Sequence, residues 1–302
     1  MRAEKGPGGA IARITVSKAA ALQDFLAERF GLSRRAAKAL IDARQVWVNR
    51  KCIWMARYAL KPGDVVEASR PPKAATPQGA GPGAAAAKRT TPHIRVLWRE
   101  GEYLVADKPA GLLSCDDARS VESVLREQEK LPGLEAVHRL DRETSGCLLF
   151  ALDHAAKEAA IEVFKARRVT KTYHAIVAGE FKFAHTRIDD ALDGESAVTD
   201  VHRESVGDGA SFLRVGIETG RTNQIRRHLS SIRYPILGDR VFGFKTAREP
   251  RMMQVPRMML HASSLSLRNP LEKGAQISVH SPLPADFRAT LRLFGMGKGR
   301  AK

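Results

Sequence analysis

Cysteine, aromatic side chains, long apolar runs and acidic charge are all scarce in this chain of 302 residues. Its three cysteines (Cys52, Cys115, Cys147) are odd in number, widely spaced and never arranged Cys-x-x-Cys. That argues against a disulfide framework or a cysteine zinc site, and fits free thiols in a reducing compartment, so a cytoplasmic protein is expected. The nine histidines fall in no His-Glu-x-x-His or similar ligand spacing, and nothing asks for a metal. No apolar stretch approaches the ~18 to 20 residues of a membrane span. Met1 to Ala12 carries basic residues without the apolar segment of a secretory leader behind them. Acidic residues number 33 against 50 Lys and Arg, giving a formal net charge of +17 and a pI near 10.2. Such a balance implies an anionic partner, most simply nucleic acid. Hydrophobic residues at 43% and charged residues at 27% are ordinary for a soluble globular chain, and the length allows one large domain or two ordinary ones.

In chain order, residues 1–15 open Gly- and Lys-rich and are expected to be a basic disordered tail. Leu22, Phe25 and Leu26 then share one helical face, and Gly31 ends that helix. Ser33 can cap a second helix that carries Arg34, Arg35 and Lys38 outward and turns Ala37, Leu40 and Ile41 inward. Val46-Trp47-Val48 and Val65-Val66-Glu67 read as strands, with Pro62-Gly63-Asp64 as a turn before the second. These segments, over residues 16–70, resemble the small alpha-L RNA-binding domain of the ribosomal small-subunit protein type. The resemblance implies that Arg34, Arg35 and Lys38 face the RNA backbone; read alone, they are a solvated basic helix face. Arg50 stands where that domain usually has glycine. Residues 71–92 are rich in Pro, Ala and Gly without periodicity and read as a linker. Residues 1–92 hold 17 Lys/Arg against 6 Asp/Glu, hence +11 of the +17. A basic gripping module tethered to a less basic partner domain follows from that asymmetry.

From Ile94 onward strands and helices mix. Ile94 to Trp98 and Tyr103 to Ala106 read as strands, Ser120 to Glu129 as a short helix, and His154 to Arg168 as a longer one. The basic end of the longer helix, Lys165-Ala166-Arg167-Arg168, suits both the helix dipole and a phosphate contact. Leu148-Leu149-Phe150-Ala151 reads as a buried strand. Before it, Thr144-Ser145-Gly146 is turn chemistry, and Gly146 suits a close approach of two backbones. His138 to Arg142 therefore lies on a loop feeding a core strand, where a scaffold can present reactive side chains. Asp141, flanked by Arg139 and Arg142, is expected to be ionised. A structural ion-pair loop would look the same in isolation. Alternation places Tyr173, Ala175 and Val177 on one strand face. Thr222 is well placed to cap a helix running through Leu229. Residues 295–302 are a second basic tail.

The run His138-Arg139-Leu140-Asp141-Arg142-Glu143-Thr144-Ser145-Gly146 resembles the signature of the RluA-type pseudouridine synthases. Four further blocks follow that family's order: Lys108-Pro109-Ala110-Gly111, Lys171-Thr172-Tyr173-His174-Ala175, Gly220-Arg221-Thr222-Asn223-Gln224-Ile225-Arg226, and Pro235 to Asp239 with Leu260 to Leu265. Asn223 stands where the family usually has histidine. The resemblance spans residues 93–294. It implies an α+β catalytic domain on a mixed, largely antiparallel sheet with flanking helices. The implied activity is isomerisation of uridine in structured RNA. Asp141 is then the catalytic residue, Tyr173 lies against the target base, and Arg221 pairs with Asp141. Arg139 fills the space that the base leaves. The reaction breaks and remakes one glycosidic bond, so no cofactor is expected. Ribosomal RNA of the large subunit is the first expected partner and transfer RNA the second, with the protein a monomer off the membrane. A non-catalytic RNA-binding or ribosome-assembly protein is the alternative. A base-modifying methyltransferase would need a glycine-rich cofactor loop after a strand, and the sequence has none.

Overall fold

A computed structural model describes residues 11–42, 46–49, 51–53, 55, 58–69, 92–243, 250–272 and 274–296, and the chain divides into two compact units, Met1–Ala87 and Lys88–Lys302. The division falls inside the stretch read as a linker, which apart from its last residue lies outside the described residues, as do residues 1–10 and 297–302.

The first unit contains strands β1 (Ile11–Thr15) and β2 (Ala20–Ala21), helices α1 (Leu22–Phe30) and α2 (Arg34–Asp42), and strands β3 (Val46–Val48), β4 (Lys51–Cys52), β5 (Ala59–Leu60) and β6 (Val65–Ser69). Antiparallel pairing gives the order β1-β6-β3-β4, with β2 against β5. Leu22, Phe25 and Leu26 of α1 pack with Ala37, Leu40 and Ile41 of α2 over Val46, Val48 and Val66, the expected core. Gly31 takes φ +63° at the end of α1, and the Ser33 hydroxyl accepts from the Ala36 N–H at 3.1 Å. The Pro-Gly-Asp turn is tied across the unit. Asn49 donates to Asp64 at 2.8 Å and accepts from the Val65 N–H at 2.9 Å.

One boundary is corrected. Ile11–Thr15, counted with the basic tail from sequence, is a strand paired residue for residue with β6. Its backbone satisfies the edge of β6 that would otherwise lie open, which the Gly-rich residues before it gave no cause to expect.

The second unit contains β7 (Arg95–Glu100), β8 (Tyr103–Lys108), α3 (Val121–Gln128), β9 (Glu135–Ala136), β10 (Ser145–Ala151), α4 (His154–Lys165), β11 (Val169–Ala178), β12 (His185–Ile188), β13 (Thr199–Gly207), β14 (Ala210–Ile217), α5 (Gln224–Ser231), α6 (Pro250–Met253), β15 (Leu260–Arg268), β16 (Gln276–His280) and α7 (Ala285–Leu293). The sheet runs β12-β13-β14-β11-β15-β10-β8-β7, with β16 on β15 and β9 on β10. All pairings are antiparallel except β10 with β15. This is the mixed, largely antiparallel sheet with flanking helices. All seven residues of β10 are buried, so the strand that follows the catalytic-type loop is the most enclosed in the sheet. At Gly146 (φ +113°) a Cβ would lie 2.1 Å from the Ala262 carbonyl oxygen, so only glycine permits the parallel contact with β15.

The longer helix stops at Lys165, three residues short of the expected Arg168, because Arg167 takes φ +56° and turns the chain into β11. Gly295 and Met296, assigned from sequence to the basic tail, belong to the core, with Met296 buried. No described helix is long and apolar enough to cross a membrane. Cys115 and Cys147 are free thiols.

Candidate active site

The loop that ends in β10 is held from beneath. Lys108, at the end of β8, has no exposed surface, and its Nζ donates to the carbonyls of Pro109 (3.1 Å), Arg142 (2.9 Å) and Thr144 (2.7 Å). Burial pushes its pKa down to about 7, while three carbonyl acceptors take the three N–H bonds of the ammonium. Ser114 Oγ donates to the Leu140 carbonyl and accepts from the Leu140 N–H, both at 3.0 Å. Gly111 N donates to the Arg142 carbonyl at 2.8 Å. On the other side His138 Nε2 accepts from the Leu149 N–H at 3.1 Å, and its ring stacks on Phe164. Desolvation, helped by the nearby Lys171 charge, pushes the His138 pKa down to about 3, so the imidazole is neutral. The Lys-Pro-x-Gly segment thus acts as a cradle and carries no chemistry of its own.

Asp141 stands on this loop with its side chain 32% exposed, and its Oδ2 lies 3.1 Å from Arg226 Nη1. Arg226 belongs to the first turn of α5 and is itself fixed by a second carboxylate. Its Nε and Nη2 donate to Asp239 at 2.7 and 3.0 Å, and Asp239 has a side chain with no exposure. Asp239 also accepts from the N–H groups of Val241 and Phe242. Burial opposes ionisation of Asp239, but Arg226 and those two N–H groups outweigh it and its pKa is lowered. Burial likewise works against the Arg226 charge, and the two carboxylates more than compensate. Asn223 adds one further acceptor for Arg226 Nη1. The guanidinium fork is therefore oriented from behind by Asp239 and presents one N–H to Asp141.

Helix α5 is docked by a directed chain of hydrogen bonds. His228 Nε2 lies 3.0 Å from the Asp190 carbonyl and so carries the proton, which leaves Nδ1 to accept from Thr199 Oγ1 at 2.9 Å. Gln224 Nε2 donates to Thr199 Oγ1 and to the Val198 carbonyl, and its Oε1 accepts from Thr219 Oγ1 at 2.7 Å. Val198 N closes the circuit on Thr219 Oγ1. The polar inner face of α5 is satisfied in full, which makes its position unique.

Tyr173 of β11 is 8% exposed and lines the same pocket as Asp141, a space of about 90 Å³ bordered also by Arg139, Ile217, Asn223 and Leu260. Burial, then the Asp141 charge, pushes its phenol pKa up, so the hydroxyl remains a donor at neutral pH. Arg139 is exposed at the rim and makes no ion pair with Glu143 or another carboxylate among the described residues.

Two expectations fail here. Arg221 does not pair with Asp141. It lines the pocket, but its guanidinium pairs with Glu195 and its Nε donates to the Ser196 carbonyl at 3.1 Å. Thr222 does not cap α5 either. Asn223 occupies that position with φ +55°, and the helix starts at Gln224. The two errors have one cause. With the helix begun at Gln224, Arg226 falls on its first turn beside Asp141, while Arg221 precedes the turn and meets the 193–196 loop. The second arginine of the block and the Gly-Asp pair at 238–239 were the available signals for Arg226 and Asp239. In the first unit, Arg34 and Lys38 are exposed on α2, with Arg34 paired to Asp24 at 2.8 Å, and the Arg35 side chain lies outside the described residues.

Residues 102–231 match the family model described as RNA pseudouridylate synthase, and residues 22–66 match the S4 domain. An uncharacterized RNA pseudouridine synthase of Mycobacterium bovis is 30% identical over 307 residues, spanning 89% of this chain and 92% of that one. The ribosomal large subunit pseudouridine synthase D of Pseudomonas aeruginosa is 31% identical over 230 residues, 66% of this chain and 71% of that protein. Among solved structures, human RNA pseudouridylate synthase domain containing 1 superimposes with a TM-score of 0.58 at 27% identity, covering 70% of this chain and 90% of that chain. The fold and the pocket are thus those of an isomerase that acts on RNA. The chain belongs to the RNA pseudouridine synthase family, with an S4 RNA-binding domain before its catalytic domain.

Proposed function

We propose that the family reaction is carried in this chain by Asp141, on uridines of structured large-subunit ribosomal RNA, by a monomer in the cytoplasm. The observation that carries the residue assignment is the Asp141–Arg226 contact of 3.1 Å inside a pocket closed by Tyr173. The relative in Pseudomonas aeruginosa supports the choice of ribosomal RNA by its name, and transfer RNA is the second candidate.

Pseudouridine formation breaks the bond from uracil nitrogen to ribose, rotates the base and rejoins it through carbon 5. A paired base must first leave its stack, at a cost of a few kcal/mol. The pocket beside Asp141 then receives the base. Asp141 attacks the ribose as a nucleophile or removes a proton from it, and both routes need an ionised oxygen held in place. Arg226 holds it. A second buried carboxylate behind that arginine is hard to justify in a protein that only grips RNA, because desolvating it is costly unless the orientation of the guanidinium matters. Tyr173 packs on the uracil and offers its hydroxyl.

Arg139 stands two residues before Asp141 with its guanidinium exposed, so it enters the helix as the uridine leaves and stacks on neighbouring bases. Arg139→Ala should lose most activity on a stacked uridine and recover on one already unstacked; equal losses on both would leave Arg139 a plain electrostatic contact. The substrate assignment is tested by mapping pseudouridines in RNA from cells with and without the gene. Loss confined to large-subunit ribosomal RNA is expected, and loss confined to transfer RNA would overturn that part of the reading.

A further inference from the structure

The mechanism leaves two cations at the pocket rim without a task. Lys171 opens the strand segment that carries Tyr173, and its half-buried ammonium has no hydrogen bond and no ion pair among the described residues. Its printed neighbours are the Phe164 ring, 5.8 Å to the centroid, and Gly220. A Cβ at Gly220 would meet only Lys171 Nζ, at 3.8 Å, so the space above this glycine is open and faces a positive charge. Gly220 lines the pocket that holds Asp141. Burial lowers the Lys171 pKa and no carboxylate counteracts it. Desolvating an ammonium without a counter-charge is unfavourable, and a phosphate arriving beside it would remove that penalty.

Arg221 is the second cation. Its side chain is 34% exposed and its partner Glu195 is 62% exposed. Solvent-exposed pairs of this kind contribute about 0 to 1 kcal/mol. A phosphate offers the same fork a bidentate acceptor and exchanges readily for the carboxylate. Arg226 cannot serve in this way, because Asp239, Asp141 and Asn223 occupy its N–H groups. A nucleotide that swings out carries its flanking phosphates to the rim with it.

We propose that Lys171 and Arg221, both adjoining Gly220, hold a phosphodiester of the substrate RNA next to the target uridine, with Glu195 as the counter-ion that the phosphate displaces. This rests on the reading of the chain as an RNA pseudouridine synthase. It gives Arg221 a binding role in place of the catalytic one.

The test uses the full chain and a substrate hairpin, with affinity measured across a salt series. Lys171→Met and Arg221→Gln should each weaken binding several-fold more than they lower kcat at saturating RNA. Each should reduce the slope of log affinity against log salt by about 0.7 to 0.9, the share of one phosphate contact. Lys171→Arg should restore both. Glu195→Gln should tighten binding, and that gain should vanish when Arg221 is already Gln. Thermal melting provides the fold control: Lys171→Met should melt no lower than wild type, whereas a lower melting point would make Lys171 a structural residue and overturn its part. Unchanged slopes, or a Glu195→Gln gain that survives without Arg221, would overturn the phosphate site. Inorganic phosphate replacing chloride at equal ionic strength should preserve the Lys171→Met difference; if it erases the difference, the site takes a free anion and the proposal fails. Product formation by wild type on the same hairpin reports on the synthase reading separately.

Discussion

At the scale of single residues, the site is a carboxylate aimed by an arginine that is aimed by another carboxylate. Asp239→Asn keeps the volume but places an amide N–H where Arg226 needs an acceptor. Breaking a buried pair by removing one partner costs about 3 to 5 kcal/mol. We expect kcat to fall at least tenfold with KM little changed, measured by steady-state turnover of a hairpin substrate; an unchanged kcat would mean that Asp141 is positioned without Asp239. The histidines give a pH prediction. His138 and His174 have pKa values pushed down to about 3 and about 4, in both cases first by burial, and His228 and His261 are lowered for the same first reason. Between these values and the ordinary 6.5, the unfolded chain binds protons that the folded chain refuses. Stability is therefore fully present above pH 6.5 and falls as the pH drops, by up to about 1.4 kcal/mol per pH unit for each such histidine. Urea unfolding between pH 7 and 5 should show this slope, and His138→Gln should make it shallower. A slope of opposite sign would contradict the neutral assignments. Asp141 and Tyr173 were legible from sequence because each lies inside a dense motif. Arg226 was not, because the same block offers two arginines and the side-chain partner depends on where the helix starts.

At the scale of elements, α5 decides the geometry. Gln224 contributes four hydrogen bonds to the ring of Thr219, Val198, Thr199 and the Arg221 N–H. Gln224→Leu leaves several buried polar groups without partners, each costing about 1 to 3 kcal/mol. Both melting temperature and kcat should fall, since the helix that carries Arg226 loses its seat; a drop in melting temperature at constant kcat would separate the ring from catalysis. Periodicity and caps revealed most elements: α1 to Gly31, α2 from Ser33, α3 after Ser120 and the buried β10. What escaped notice was set by distant partners. Strand β1 exists because β6 has an edge to fill, and Asn223 caps α5 from a left-handed conformation that no local signal announced. Asp239 sat in a segment read as scaffold, and its partner lies 13 residues away on a helix.

For the whole molecule, charge asymmetry assigns the grip to the first third, which carries +11 of the net +17. Removing residues 1–92 should weaken RNA binding and flatten its salt dependence by about 0.7 to 0.9 per lost phosphate contact, while a saturating minimal hairpin is still turned over. Equal affinity and slope without these residues would mean that the S4 domain is not the grip. The order of the two domains and the mixed sheet were readable in advance, because five motif blocks and a Pro/Ala/Gly stretch divide the sequence where the fold divides.

The claim on which the rest depends is that Asp141 performs the isomerisation. Asp141→Asn removes one charge from the pocket and no phosphate contact, and its amide can still meet Arg226 through oxygen. Product formation and filter binding should be measured on one purified variant and one RNA. We predict turnover reduced by about a thousandfold or more, in the range expected when a group central to the chemistry is lost, with affinity within about threefold of wild type. Turnover within tenfold of wild type would remove Asp141 from the reaction.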